Sequence, residues 1–455
     1  MTVSFRIGAG AGYAGDRIAP AQALAQQGQL DVLVFECLAE RTIALAQLER
    51  RQQPERGYDR LLAERMQAVL PACLAHGTRI VSNMGAANPL QAGHEVLRVA
   101  QALGLNGVQV AVVQGDDVLA RLLQDGLDWP LQDSGAPLAS LKDRLISANA
   151  YLGADALLPA LQSPAQVIIG GRIADPALFL APLMHRFGWR ADDWHRLGQG
   201  VLVGHLLECA GQITGGYFAD PGYKDVPRLA QLGFPLAEVQ ADGSAVITKL
   251  PEAGGCVTVA TCSEQLLYEI DNPARYLQPD VVADFSGVQF SPDGPDRIRA
   301  NGASGHPRPD TLKVTVGYHD GYIGEGQMSY GGPGCLARAQ LALELVRARL
   351  HDAGLGAREA RYELIGVNSL LGTAQPHRET LGEPNEVRLR VALRTPERRE
   401  AQRVAHEVEA LYTNGPAAGG GASKSVREVV AAAAVLVPRD WAWPQLTLLE
   451  SGAAS

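Results

Sequence analysis

Six cysteines in 455 residues, at 37, 73, 209, 256, 262 and 335, form no C-x-x-C pair and keep no regular spacing. Neither a zinc knot nor a disulfide framework organises such a chain. The ten histidines are equally dispersed, without an H-x-x-x-H helix pair, so no metal-binding signature is present. No apolar run reaches the roughly eighteen residues of a membrane-spanning helix. The opening MTVSFRIGAG lacks a charged leader followed by a long apolar core, and the chain reads as soluble and cytoplasmic, with no membrane partner. Basic excess is missing as well: 40 Lys and Arg against 49 Asp and Glu leave a net charge of −9, which argues against a nucleic-acid partner. Internal repeats are absent. What remains is a globular composition, 46% hydrophobic and 20% charged, too long for one core and expected to form two domains or three.

Its organising stretch is the first thirty-six residues. An apolar strand at 3–7 runs into a glycine loop at 8–15, GAGAGYAG, followed by Asp16 and Arg17, a helix opening at Pro20, and a second strand ending at Glu36. Glycine permits positive φ and bare N–H groups, and a following helix adds its positive dipole end. The loop is therefore expected to hold an anion, with Gly10, Gly12, Tyr13, Gly15, Asp16 and Arg17 as ligand contacts. Gly10, Gly12 and Gly15 also satisfy G-x-G-x-x-G, with Glu36 twenty-one residues beyond the last, near the spacing of a dinucleotide fingerprint. Two details weigh against NAD there. Asp16 would face a pyrophosphate, and Pro20 starts the helix late. Another small anion, an acyl ligand or a tight turn are the competing explanations.

Further apolar strands are expected at 78–82, 107–113 and 166–169, with helices between, including one over 141–150. Five such strands imply a parallel α/β sheet with helices on both faces, over 1–214. Beyond a boundary near Thr214, strands dominate: a hairpin turning at Asp242-Gly243, strands at 256–261, 281–290 and 312–318, then helices and strands to the end, an α+β domain over 215–455.

In a parallel sheet the functional groups gather beyond the carboxyl ends of the strands. The five exits offer Asp16 and Arg17, Glu36, Asn83 with Gly85 and Asn88, Asp116 with Asp117, and Gly171, Arg172 and Asp175. Glu36, Asn83 and Asp116 are the candidates for catalysis, since carboxylates from different strands can act as acid and base or bind a divalent ion. Arg172 has the planar fork for an anionic substrate end. Capping competes for several of these: Asp175 precedes Pro176, Asn88 precedes Pro89, and Asp116 can cap a helix. Cys37 adjoins Glu36 and fits either a nucleophile or a core thiol. Near the C-terminus Asn414 and Gly415 lead into Gly419-Gly420-Gly421, a flexible connection or a second anion cradle, with ligand contact preferred.

The stretches GAGAGYAGDR, LDVLVFECLAERT, NMGAANP, QGDD, ANAYLGA, GGRIADPALF, GHLLECAGQITGGYFAD, GFPLAEVQADGSAVITK, EQLLYEIDNPARYLQPDVVADFSGV and YTNGPAAGGG resemble the acyclic terpene utilisation (AtuA-like) family over most of the chain. The resemblance implies a part in the breakdown of acyclic terpenes and branched acids as acyl-CoA thioesters. Where the family usually carries Asp within 31–40, this chain has Glu36, which keeps a carboxylate with longer reach. Three functions are then in play. The first is a lyase or hydratase acting on a carboxylate or acyl-CoA through acid/base carboxylates, CoA entering as part of the substrate and no resident metal being expected. The second is an NAD-dependent oxidoreductase, and the third a non-catalytic acyl-binding subunit. A homo-oligomer is the protein partnership left open.

Overall fold

Apolar runs spaced by helical segments close into one sheet because only such a sheet buries them on both faces. A computed structural model of the chain describes residues 4–356, 359–372, 382 and 384–450. Its first strands are β1 (Phe5–Ala11), β2 (Val32–Phe35), β3 (Arg79–Ser82), β4 (Gln109–Gln114), β5 (Leu145–Ala150) and β6 (Val167–Gly170). Strands β1, β2, β3, β6 and β4 lie side by side in that order, each parallel to the next. All five expected strands therefore share one direction, and their exits share one rim.

The connections are α1 (Ala19–Gln27), α2 (Glu40–Gln52), α3 (Leu62–His76), α4 (Pro89–Ala102), α5 (Leu119–Asp125), α6 (Leu158–Gln162), α7 (Ala177–Phe187) and α8 (Trp194–Glu208). One group, α1, α3 and α4, packs together against β1, β3, β4 and β6, and a second, α6 to α8, against β1, β2, β4 and β7 (Pro235–Val239). No helix among the described residues is long and apolar enough to cross a membrane.

The sheet does not stop at its parallel core. Strand β7 pairs antiparallel with β1, β8 (Ala245–Lys249) with β7, and Arg297–Asn301 and Gln289–Gly294 follow outward, while Gln445–Glu450 pairs antiparallel with β4 at the opposite edge. The result is a mixed sheet of ten strands. The hairpin at Asp242-Gly243 forms as expected, with Gly243 at φ +90° and Asp242 Oδ1 accepting from the Ser244 N–H at 2.9 Å.

Two units divide the chain, 1–317 with 432–455, and 318–431. The expected boundary near Thr214 falls within the first unit, because the strands that follow it extend the first sheet. In the second unit, Glu386–Thr395 pairs antiparallel with Ala360–Ile365 on one side and with Tyr322–Gly331 on the other. Helices Cys335–Asp352 and Arg398–Glu409 bury Val346, Val404 and Val408 against Leu389 and Val391 of that sheet.

Two expected elements change type. Residues 145–150 form a strand and not a helix, since their backbone is tied to the β4 exit: Ala150 N–H donates to Asp116 O at 2.7 Å and Val118 N–H to Ala148 O at 2.9 Å. Long-range pairing overrides a weak local preference. Residues 259–267 form a helix that takes in the end of the strand expected at 256–261, because Thr258 and Thr261 close a reciprocal capping box around its first turn.

Arg65 of α3 joins several of these elements. Its side chain is fully buried, pairs with Asp59 at 3.1 Å, and donates to the Tyr13 and Ala14 carbonyls at 3.2 and 3.0 Å. Replacing it, Arg65→Met, strands the Asp59 carboxylate, and urea denaturation is expected to show a loss of roughly 3–5 kcal/mol. The exposed Arg190–Asp192 pair serves as control, Arg190→Ala leaving the denaturation midpoint essentially unchanged.

Candidate active site

At the β1 exit the glycines serve packing. Gly8 and Gly10 lie inside β1, and none of Gly8, Gly10, Gly12 and Gly15 has positive φ. A Cβ on Gly10 would stand 2.6 Å from the Phe35 ring, and one on Gly12 would stand 2.5 Å from the Cys209 backbone carbon. The Gly12 N–H is already bound by Asp16 Oδ2 at 2.9 Å, and Asp16 Oδ1 takes the Arg17 N–H at 2.8 Å. The Gly12 N–H is thus engaged within the loop, and close packing accounts for glycine at positions 10 and 12.

Glu36, one residue past β2, is more than nine-tenths buried. Its Oε1 accepts from the Leu38 N–H at 2.8 Å and from Asn83 Nδ2 at 2.9 Å, while Asn83 Oδ1 accepts from the Cys37 N–H at 2.7 Å. Asn83 therefore positions the carboxyl and is itself fully buried. Burial pushes the Glu36 carboxyl above its ordinary range, against the pull of Arg172 and these hydrogen bonds, and Glu208 pushes it further. The adjacent Cys37 thiol is buried, accepts from Arg65 Nη1 at 2.9 Å, and is raised well above its ordinary range by burial, so it is a poor nucleophile.

Asp116 and Arg172 brace the rim from beneath. Asp116 Oδ2 accepts from the Arg172 N–H at 3.0 Å and from Asn149 Nδ2 at 2.8 Å, and burial raises its carboxyl. The Arg172 guanidinium is fully buried; it donates to the Leu38 carbonyl, to Ile173 O at 2.8 Å and to Asp175 Oδ1, and lies 4.3 Å over the Tyr151 ring. Asp175 is raised well above its ordinary range by burial, Arg172 opposing and Glu36 and Glu208 adding to the rise. Glu40 moves the other way. Burial opposes the change, yet the Tyr151 hydroxyl at 2.6 Å and Lys313 Nζ at 3.0 Å bring it down to about 2.

A cavity of about 990 Å³ opens over this rim, at the upper end of the roughly 300–1,000 Å³ usual for small-molecule sites. Its lining, all from the first unit, includes Gly12, Tyr13, Asp16, Arg17, Glu36 and Asp175 of the expected residues. Gly10, Gly15, Asn83, Gly85, Asn88, Asp116, Gly171 and Arg172 do not line it. Asn88 Nδ2 instead donates to the Pro54 and Arg56 carbonyls, each at 2.8 Å. Gly85 and Gly171 allow close approach to the Gly170 carbonyl and to Asp116. Asn414 and Gly415 belong to the second unit, where the Asn414 side chain turns back to Thr413 Oγ1 at 2.9 Å, and Gly419–Pro438 is a strand rather than an anion cradle.

The sequence reasoning missed Glu208, Tyr268, Tyr276 and the apolar wall of Leu232, Phe234, Leu277 and Leu312. One signal was available, His205 and Glu208 three apart on a helix, a spacing that sets both on one face. Gly12 and Gly204 let α8 close on this site: a Cβ on Gly204 would stand 2.7 Å from the Pro176 backbone. Among the described residues no group of three or more His, Cys, Asp or Glu side chains is arranged to hold a metal ion.

The family model described as acyclic terpene utilisation family protein AtuA matches residues 5–448, nearly the whole chain. The chain belongs to this family. No curated protein and no solved structure matches it. Membership ties this AtuA-family chain to acyclic terpene utilisation at the level of the family.

Two measurements check the geometry. Gly12→Val is expected to lower the melting temperature through overpacking of roughly 1–3 kcal/mol against the Cys209 backbone; unchanged melting with lost ligand binding would restore a ligand role for the loop. Asp280, fully buried, accepts from the Ala154 N–H through both oxygens at 2.8 and 3.0 Å, and burial with Asp155 raises its carboxyl to about 7. The folded state then binds more protons than the unfolded chain between the ordinary aspartate range near pH 4 and pH 7, so stability falls as pH rises through that window. Asp280→Asn is expected to flatten the fall in melting temperature over the same window.

Proposed function

We propose that the cavity binds a branched acyclic carboxylate or its acyl-CoA thioester, and that the protein is a lyase or hydratase moving protons through carboxyl groups at the cavity floor. The observation that carries this reading is the set of three carboxyls, the buried Glu36 and Glu208 and the partly exposed Asp175, lining one apolar-walled cavity. Adding or removing water beside a carbonyl needs one group to give a proton and another to take one. Glu36 suits the first task. Oε1 is committed to two N–H donors, which leaves Oε2 as the oxygen able to exchange a proton with a ligand.

The polarity of the cavity also suits such a ligand. Leu232, Phe234, Leu277 and Leu312 offer a hydrocarbon surface, while the exposed Arg17 supplies positive charge and Lys313 is held by Glu40. An anionic group, a carboxylate or the phosphates of CoA, would lie there. Arg172 is occupied internally, so it acts as a counter-ion to the floor and not as the substrate clamp.

The test is incubation of the full chain with a panel of straight and branched acyl-CoA thioesters and their free acids, followed by mass analysis. Conversion of at least one member by gain or loss of water is expected. Glu36→Gln, which keeps the shape, should bind that member with similar affinity and turn it over roughly a hundredfold or more slowly. Binding without conversion by the unmodified protein would make it an acyl-binding subunit instead.

A further inference from the structure

His205, buried on α8 beneath the rings of Tyr276 and Phe285, faces Leu266 O through Nε2 at 3.2 Å and Glu208 Oε1 through Nδ1 at 3.0 Å. A carbonyl oxygen only accepts, so Nε2 carries hydrogen. Nδ1 and Oε1 cannot both be bare at 3.0 Å, because two lone pairs would face each other; one proton lies between them. In either arrangement, imidazolium with carboxylate or imidazole with carboxylic acid, the remaining oxygen is an acceptor. That oxygen, Oε2, is buried without a hydrogen-bond partner among the described residues, on a side chain that lines the cavity. Glu36 and Asp175 along the same lining, with Tyr276 and Cys209, are the titratable groups within its electrostatic reach.

We propose that Glu208, held by His205, is the base of the site and Glu36 its acid, and that the substrate is a β-hydroxyacyl thioester or the corresponding enoyl thioester. This rests on the reaction class proposed above. Glu208 Oε2 takes the proton from the carbon beside the thioester carbonyl, the shared proton settling on Nδ1, and the C–H electron pair becomes the new C=C bond. The C–O bond to the hydroxyl on the next carbon breaks with its electron pair, and that oxygen takes the proton of Glu36 Oε2 and leaves as water. Atoms and charge balance, and solvent returns the proton from Glu208 to Glu36. Hydration is the reverse. His205 is a positioning residue, orienting Oε2 and fixing the proton count of the pair.

The experiment follows the full chain in D₂O with β-hydroxyacyl- and enoyl-CoA thioesters, straight and methyl-branched, by mass spectrometry for loss or gain of water and for deuterium at the carbon beside the carbonyl. Glu208→Gln with unchanged melting temperature is expected to lose deuterium uptake by roughly a hundredfold or more. His205→Gln is expected to lower kcat with little change in KM and to move the pH profile, and ¹⁵N spectra should show the His205 ring with hydrogen on Nε2 and Nδ1 engaged in a hydrogen bond. Deuterium uptake by Glu208→Gln at the unmodified rate overturns the assignment while leaving the reaction class standing. No conversion of any member by the unmodified protein overturns both. Should Glu208→Gln fail to fold, Glu208→Asp decides: the retracted carboxylate is expected to slow uptake at least tenfold, and an unchanged rate rejects Glu208 as the base.

Discussion

A guanidinium without access to water sits under the rim of the first sheet, and the arrangement of the site follows from it. Leaving Arg172 unpaired there would cost several kcal/mol, so its two Nη groups go to the Leu38 and Ile173 carbonyls and to Asp175 and its face to Tyr151, Nε alone staying without a partner among the described residues. Those partners lie past β2, past β6 and past β5, which ties three strand exits into one body. Its charge is also what makes an acidic floor tolerable. Arg172 lowers both Glu36 and Asp175 against the burial that raises them, so the carboxyls stay close to one another without each needing a cation of its own.

A second constraint is distance. The cavity acquires Glu208 only because α8 approaches β1 and the start of α7 backbone to backbone, and two glycines permit it. Gly12 meets Cys209, the residue after Glu208, and Gly204 meets Pro176, the residue after Asp175. Side chains at either position would hold the helix away and separate the carboxyls. The glycines of the first loop thus shape the site through packing, with Asp16 engaging the Gly12 N–H from within the loop.

Periodicity sufficed for the parallel core, the Asp242-Gly243 hairpin and the convergence of Glu36, Asn83, Asp116 and Arg172 on one rim, because apolar runs of strand length leave few ways to bury themselves. It placed residues at the rim without telling which would face outward. Asn83 turns inward to Glu36 and the Cys37 N–H, and Asp116 to the Arg172 N–H and Asn149, while Asp16, Arg17, Glu36 and Asp175 line the cavity. That sorting depends on partners far apart in the chain, such as Cys37 for Asn83, 46 positions away, and Leu38 for Arg172, 134 positions away.

By itself the sequence determined the alternation of strands and helices, the direction of the five core strands and membership in the acyclic terpene utilisation family, since each follows from local pattern or from motifs read in order. Tertiary structure alone decided that residues after 214 extend the first sheet, that Arg172 is an internal counter-ion, and that Glu208 joins Glu36 across a cavity walled by residues 232–312. The reason is that a buried polar group takes whichever partner folding brings to it, and no local pattern records that choice.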